Sequence, residues 1–342
     1  MRGKTQLVLG MAALLAAVAG SAFASAAEAS TRIVSQEGQR KIVSLSPSGG
    51  PRQTLFRFGE GVVLSVGASR DGRRIAFATR SWSREKGDRA WVDRIWTMDG
   101  NGHDARVVRA FVAAGRERGP RPVAAIAMSP DGQRILITKR LGLVFLMRAD
   151  GSDLHRVPVP GYGFGTPLHT NWSGAEFTPD GRRIIDVFHS TEDEEDRIRG
   201  IGTVPLRGGR VHFLRSGPLG TRLASGTGPT VSPDGRFIAF AIGRREGRDF
   251  GTEIVAMRRD GSGEQSLAQS RLRSWTALNP SFSPSGKALA FVAMKRRRGG
   301  IYIGEDPALV FTIRRDGTNR RVVQSGKARM FEPNPLWTPA GR

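Results

Sequence analysis

Short apolar runs alternate with polar turns along this chain, and the alternation repeats. Ile75-Ala76-Phe77, Ile135-Leu136-Ile137, Ile184-Ile185, Ile238-Ala239-Phe240 and Leu289-Ala290-Phe291 each follow a polar tetrad. Those tetrads are Ser69-Arg70-Asp71-Gly72, Ser129-Pro130-Asp131-Gly132, Thr178-Pro179-Asp180-Gly181, Ser232-Pro233-Asp234-Gly235 and Ser283-Pro284-Ser285-Gly286. A sixth, Thr338-Pro339-Ala340-Gly341, is followed only by Arg342. Pro presets the first turn position, Asp bonds its own backbone and Gly accepts positive φ, so each tetrad predicts a tight turn feeding an apolar strand.

A second turn follows in every full unit: Met98-Asp99-Gly100, Ala149-Asp150-Gly151, Arg207-Gly208-Gly209, Arg259-Asp260-Gly261 and Arg315-Asp316-Gly317. Apolar strands such as Ile254-Val255-Ala256-Met257 precede these turns, and short ones such as Val322-Val323 follow. The unit is therefore strand, first turn, strand, variable loop, strand, second turn, strand. Four strands per unit and a period of about 50 residues form the signature of a propeller blade. Pro335-Leu336-Trp337 supplies a first strand with nothing after it, and the N-terminal Ile33-Val34 and Ile42-Val43 supply later strands with nothing before them. The expected fold is all-β: a six-bladed β-propeller of four-stranded antiparallel blades, closed by pairing N- and C-terminal strands in one blade. Such pairing leaves no open sheet edge.

Turn, strand and second turn recurring in this order resemble the TolB-type propeller repeat, a relative of the WD-type repeat. The resemblance spans essentially the whole chain beyond its first residues and implies the fold. TolB proper carries an α/β domain ahead of its propeller, whereas only a few residues lie here between Ala26 and Ile33. TolB's partner-binding role in the Tol-Pal envelope system is therefore not carried over.

The first residues read differently. Arg2 and Lys4 precede an apolar run from Leu7 to Ala19, and small residues follow at Ala22-Phe23-Ala24 and Ala24-Ser25-Ala26. This is the layout of a secretory signal peptide spanning 1–26, with the propeller domain over 27–342. The expected locale is exported, periplasmic or extracellular, with no transmembrane anchor and a monomeric chain. The sequence holds no Cys, which excludes disulfides, thiolate catalysis and Cys-ligated metals.

Lys and Arg number 53 against 31 Asp and Glu, a net charge of +22. That excess attracts polyanions. Export makes nucleic acid a poor partner, so a protein or an anionic cell-envelope polymer is expected. The repeat turns are short and uniform, which makes one face of the disc scaffold; the variable loops place function on the other. Basic residues assigned to those loops include Arg80 and Arg84, and the densest run is Lys295-Arg296-Arg297-Arg298. The plainer reading is solvated loop tips, because acidic residues interleave with them.

The third unit breaks the pattern. Asp186 stands where its siblings have Phe77, Ile137, Phe240 and Phe291, His189 ends the strand, and Glu192 opens an acidic run. His169 lies in the link entering the same blade. His169, His189 and Glu192 are candidate ligands for a divalent cation; the alternative is an acidic tip pairing with Arg197 and Arg199. No cofactor and no catalytic residue are expected, since no nucleophile elbow, His-Glu-x-x-His or phosphate loop occurs. The function read from sequence is a binding or scaffold module. The alternative is a polysaccharide lyase or hydrolase with its site at the channel mouth around His169, Asp186 and His189.

Overall fold

A computed structural model describes residues 31–83, 90–113, 122–139, 143–158, 174–188, 200–216, 228–246, 249–267, 275–295, 307–327 and 335–340. The strands run in chain order: β1 (Thr31–Glu37), β2 (Lys41–Leu45) and β3 (Gln53–Arg57); β4 (Val62–Ala68), β5 (Arg74–Ser83), β6 (Ala90–Asp99) and β7 (Arg106–Ala113). Next come β8 (Val123–Met128), β9 (Arg134–Lys139), β10 (Leu143–Arg148) and β11 (His155–Arg156), then β12 (Glu176–Phe177), β13 (Arg183–Phe188), β14 (Gly200–Pro205) and β15 (His212–Ser216). The last strands are β16 (Thr230–Val231), β17 (Phe237–Glu246), β18 (Asp249–Arg258) and β19 (Gln265–Ser266); β20 (Trp275–Phe282), β21 (Ala288–Lys295), β22 (Pro307–Arg314) and β23 (Arg321–Lys327); and β24 (Leu336–Pro339).

They form six antiparallel blades of four strands. Blades 1 to 5 take β4–β7, β8–β11, β12–β15, β16–β19 and β20–β23 in turn. Blade 6 is ordered β24-β1-β2-β3, so the C-terminal strand is innermost and pairs with the N-terminal one, Ile33 opposite Trp337. Blades 4 and 5 also touch through one parallel pair, Thr252 with Thr276, beside which the Thr252 hydroxyl donates to the Ala277 carbonyl at 2.8 Å.

The second strand of each blade is buried on both faces, which explains runs without polar alternation such as Ile75-Ala76-Phe77-Ala78, all fully enclosed. Ile75 and Phe77 pack toward Val34 and Ile42 of blade 6, whereas Ala76 and Ala78 pack toward Ile126, Ile135 and Ile137 of blade 2. The same alternation continues around the ring. The core is thus a set of blade-to-blade interfaces, and a blade alone would leave both faces wet.

The first turn is built around its hydroxyl. The Ser69 Oγ donates to the Asp71 carboxylate at 2.6 Å and accepts the Arg74 amide at 2.9 Å, and Asp71 accepts the Arg73 amide. Ser129, Thr178 and Ser232 repeat this network, with φ between 65° and 73° at the following Gly72, Gly132, Gly181 and Gly235. Partial burial pushes the Asp71 carboxyl up, but the Ser69 hydroxyl, the Arg73 amide and the Arg73 charge outweigh it and hold it below its ordinary value. Ser232 is fully buried. Ser232→Ala is expected to cost about 1–3 kcal/mol in denaturant unfolding, since it strands the Phe237 amide and removes one donor from the Asp234 carboxylate. Ser232→Thr should cost little, because Thr178 does the same work.

The second turns also form, with two shifts: in blade 3 Gly208 closes the turn on the Pro205 carbonyl, so the triplet is Leu206-Arg207-Gly208. In blade 1 the residue matching Gly151, Gly261 and Gly317 is Gly102, whose amide bonds Asp99 as theirs bond Arg148, Arg258 and Arg314. The turn is therefore centred on Gly100-Asn101 and closed by Gly102, two residues later than Met98-Asp99-Gly100 implies. Asp99 instead accepts the amides of Asn101 and His103.

Candidate functional site

The first strands of the blades surround the axis and crowd one another. A Cβ on Gly67 would meet the Met128 amide nitrogen at 2.7 Å, and one on Gly228 would run into the Gly174 carbonyl. The Ser65 hydroxyl ties β4 to β8 through both the amide and the carbonyl of Ile126, at 3.1 and 3.3 Å. Toward the turn face this packing opens into a cup of about 170 Å³. Its wall is apolar, with Val66, Ile126, Met128, Phe177, Val231 and Leu336, and its rim carries Pro130, Pro179 and Pro233 from the repeat turns.

Two charged residues break this lining, and each breaks the repeat. Glu176 pairs with Ile185 as Gly67, Ala127, Thr230 and Ser281 pair with Ala76, Leu136, Ala239 and Ala290. One inner-strand position is therefore small, hydroxylated or apolar in its relatives and acidic in blade 3. Glu176 is half-buried in the wall of the cup. Burial lifts its pKa to about 7; a hydrogen bond with the Thr230 side chain pulls down and the Asp186 charge pushes up. Half of such groups carry a proton near neutral pH, which suits proton exchange or the capture of a polar group within an apolar cup.

Arg70 stands where the other five tetrads have Pro. Unlike Pro it has an amide hydrogen, which it donates to the Pro130 carbonyl at 3.0 Å. Its guanidinium reaches across the axis to the Pro233 carbonyl at 2.9 Å. One residue thus links blades 1, 2 and 4 over the rim, by its amide and its guanidinium, while remaining exposed. The cup pairs an apolar interior with a cation at the entrance and a carboxyl in the wall. It can take a small apolar group whose polar end stays at the rim.

Asp186 lies in β13 with 3% exposure, on the face shared with Ile184 and Phe188 that packs toward blade 2. Its Oδ1 accepts the Val187 amide at 2.7 Å. Lys295 is the last residue of β21 and pairs with Trp275. His169, His189, Glu192, Arg296, Arg297 and Arg298 fall outside the described residues. Among the described residues no three metal-binding side chains converge. Arg80, assigned from sequence to a loop tip, is a strand residue held by Asp93 through bonds of 2.6 and 2.9 Å, because β5 continues to Ser83. The cup itself was not anticipated: function was placed among the variable loops, or at a channel mouth around His169, Asp186 and His189, while Arg70 and Glu176 belong to the repeating face and the inner strands. The repeat carried the signal, since aligning the six copies isolates both residues.

Among solved structures, a protein described as TolB from Agrobacterium tumefaciens superposes with a TM-score of 0.58 at 16% identity, covering 90% of this chain and 98% of that one. The chain has a TolB-like propeller fold. A chain from a nidogen/laminin complex also matches, with a TM-score of 0.58, 11% identity, and 91% and 100% coverage. At these identities the likeness is one of fold. No protein-family model matches the sequence, and no curated protein does.

Proposed function

We propose that this chain is an exported binding and scaffold module, its 27–342 propeller presenting surfaces to a protein partner or an anionic polymer of the cell envelope. The observation that carries the reading is the charge of +22 on a chain whose described strands are all used in blades. A closed disc offers broad faces and cup rims, and a strong positive field draws polyanions to them. The signal-like segment at 1–26 supports export, and no helix among the described residues is long and apolar enough to cross a membrane. That one propeller of this fold was solved in a nidogen/laminin complex supports protein binding as a use of the architecture.

Retention on a polyphosphate column tests the charge, and enrichment from envelope extract tests the partner. Wild-type protein should bind at low salt and elute as salt screens the field. Replacing Lys295, Arg296, Arg297 and Arg298 with Gln should move elution to clearly lower salt. Unretained wild-type protein with no enriched envelope component would overturn the reading. Glu176 favours a second reading, catalysis on an acidic polysaccharide at the channel, because a carboxyl with a pKa near neutrality suits general acid-base work.

A further inference from the structure

Blade 1 and blade 3 each depart once from the repeat at the axis, and both departures line the same cup. Arg70 replaces the Pro that the other five tetrads carry. Glu176 replaces residues that are Gly, Ala, Thr, Ser or Leu in the matching inner strands. Both border the space of about 170 Å³, and among the described residues no other charged side chain does. The sibling blades make the same turn and the same strand without either charge, so the scaffold does not require them. Opposite charges brought from separate blades to one small apolar cavity are the polar groups that fix a ligand's orientation.

Each group keeps bonding capacity. A guanidinium has five N–H donors. That of Arg70 makes one bond, to the Pro233 carbonyl at 2.9 Å, and meets no other acceptor among the described residues. The bond braces the guanidinium at the mouth, which lowers the ordering cost of holding a ligand there. Glu176 is bonded by the Thr230 side chain alone among the described residues, and burial and the Asp186 charge hold its carboxyl at about 7. A cation brought beside it supplies the counter-charge it lacks. The apolar space sets the size. An engineered cavity of roughly 150 Å³ lined by Leu, Ile and Phe takes up benzene. This cup therefore holds one phenyl ring or a branched aliphatic group of similar bulk.

We infer that the cup binds a free apolar α-amino acid, with its side chain against Val66, Ile126 and Phe177, its ammonium at Glu176 and its carboxylate at Arg70. This site is separate from the polymer-binding faces proposed above. Charge selects the class. A net charge of +22 and a cation at the mouth repel a bare amine, and a carboxylate in the wall repels a bare acid. The end of a peptide carries one of the two charges beside its terminal side chain and leaves the other group unmet. A free amino acid meets both. Each contact is then a charge-assisted bond, the stronger kind, and Arg matches a carboxylate in shape as well as in charge.

Calorimetric titration of the full chain with leucine and phenylalanine tests the site. Glycine, phenylalaninamide and phenylpropionate are the probes that lack the side chain, the carboxylate and the ammonium in turn. Wild-type protein should bind phenylalanine or leucine about tenfold or more tightly than any of the three. Arg70→Gln should weaken phenylalanine about tenfold and leave phenylalaninamide unchanged. Glu176→Gln should weaken both of these by a similar factor and leave phenylpropionate no weaker. No binding of either amino acid by wild type, or tighter binding of the amide or of phenylpropionate than of phenylalanine, would overturn the inference. So would variants that weaken every probe alike, since the two charges would then have no separate partners. Retention on polyphosphate is decided independently of this result.

Discussion

Trp337→Ala is expected to destabilise the propeller by roughly 3–5 kcal/mol, a large share of the 5–15 kcal/mol that holds most domains folded. Trp337 is 7% exposed and packs among Ile33, Phe282 and Leu289 in the cluster joining blades 4, 5 and 6. It is also the point where the ring is fastened. Its indole Nε1 donates to the Thr31 hydroxyl at 2.9 Å, and its amide donates to the Ser281 hydroxyl at 3.0 Å. Four residue pairs join β24 to β1, so the substitution removes a large buried ring from the pairing that closes the circle. Denaturant unfolding measures the loss. Trp82→Ala is the control: that side chain is half-exposed, and the aromatic pair it breaks with Trp91 is worth about 0.5–1.5 kcal/mol. If Trp337→Ala unfolds at the wild-type midpoint, joining the termini contributes nothing measurable to the fold.

The closure was legible because it follows from counting. Pro335-Leu336-Trp337 is a first strand without a second, Ile33-Val34 is a second without a first, and a sheet edge is costly to leave open. The turns were legible in type but not in their wiring. Pro, Asp and Gly announce a tight turn, yet the hub is the buried Ser or Thr, whose hydroxyl accepts an amide five residues on. That long reach depends on how the second strand returns, which a four-residue signature does not encode. Arg70 and Glu176 were present in the alignment of the copies, as Asp186 was. Their meaning depended on knowing that the inner strands crowd until only a cup remains, and that the turns of blades 1 and 4 face each other across it.

Glu176→Gln is expected to stabilise the protein, and to do so only toward alkaline pH. The Glu176 pKa is raised to about 7 from an ordinary value of 4.5. Between those values the unfolded chain has lost the proton and the folded chain keeps it, so stability falls as pH rises through this window and the full penalty is present above pH 7. Gln keeps the shape and does not ionise. The variant should match wild type near pH 4, below the unfolded value, and exceed it by as much as about 3 kcal/mol at pH 8. Asp71, Asp131, Asp180 and Asp234 do not blur the comparison, since their pKa values are lowered and their contribution is lost only in more acidic solution. Equal stability of both proteins at pH 8 would mean that water reaches the carboxyl and that the cup is no special environment. A gain at pH 8 leaves open why a destabilising acid sits where the other blades have Gly, Ala, Thr, Ser or Leu, and binding and turnover of polygalacturonate by the same variant separate the two answers. Unchanged binding without turnover in either protein leaves the module reading standing. Turnover by wild type that Glu176→Gln abolishes would give the cup to catalysis, with Glu176 moving the proton.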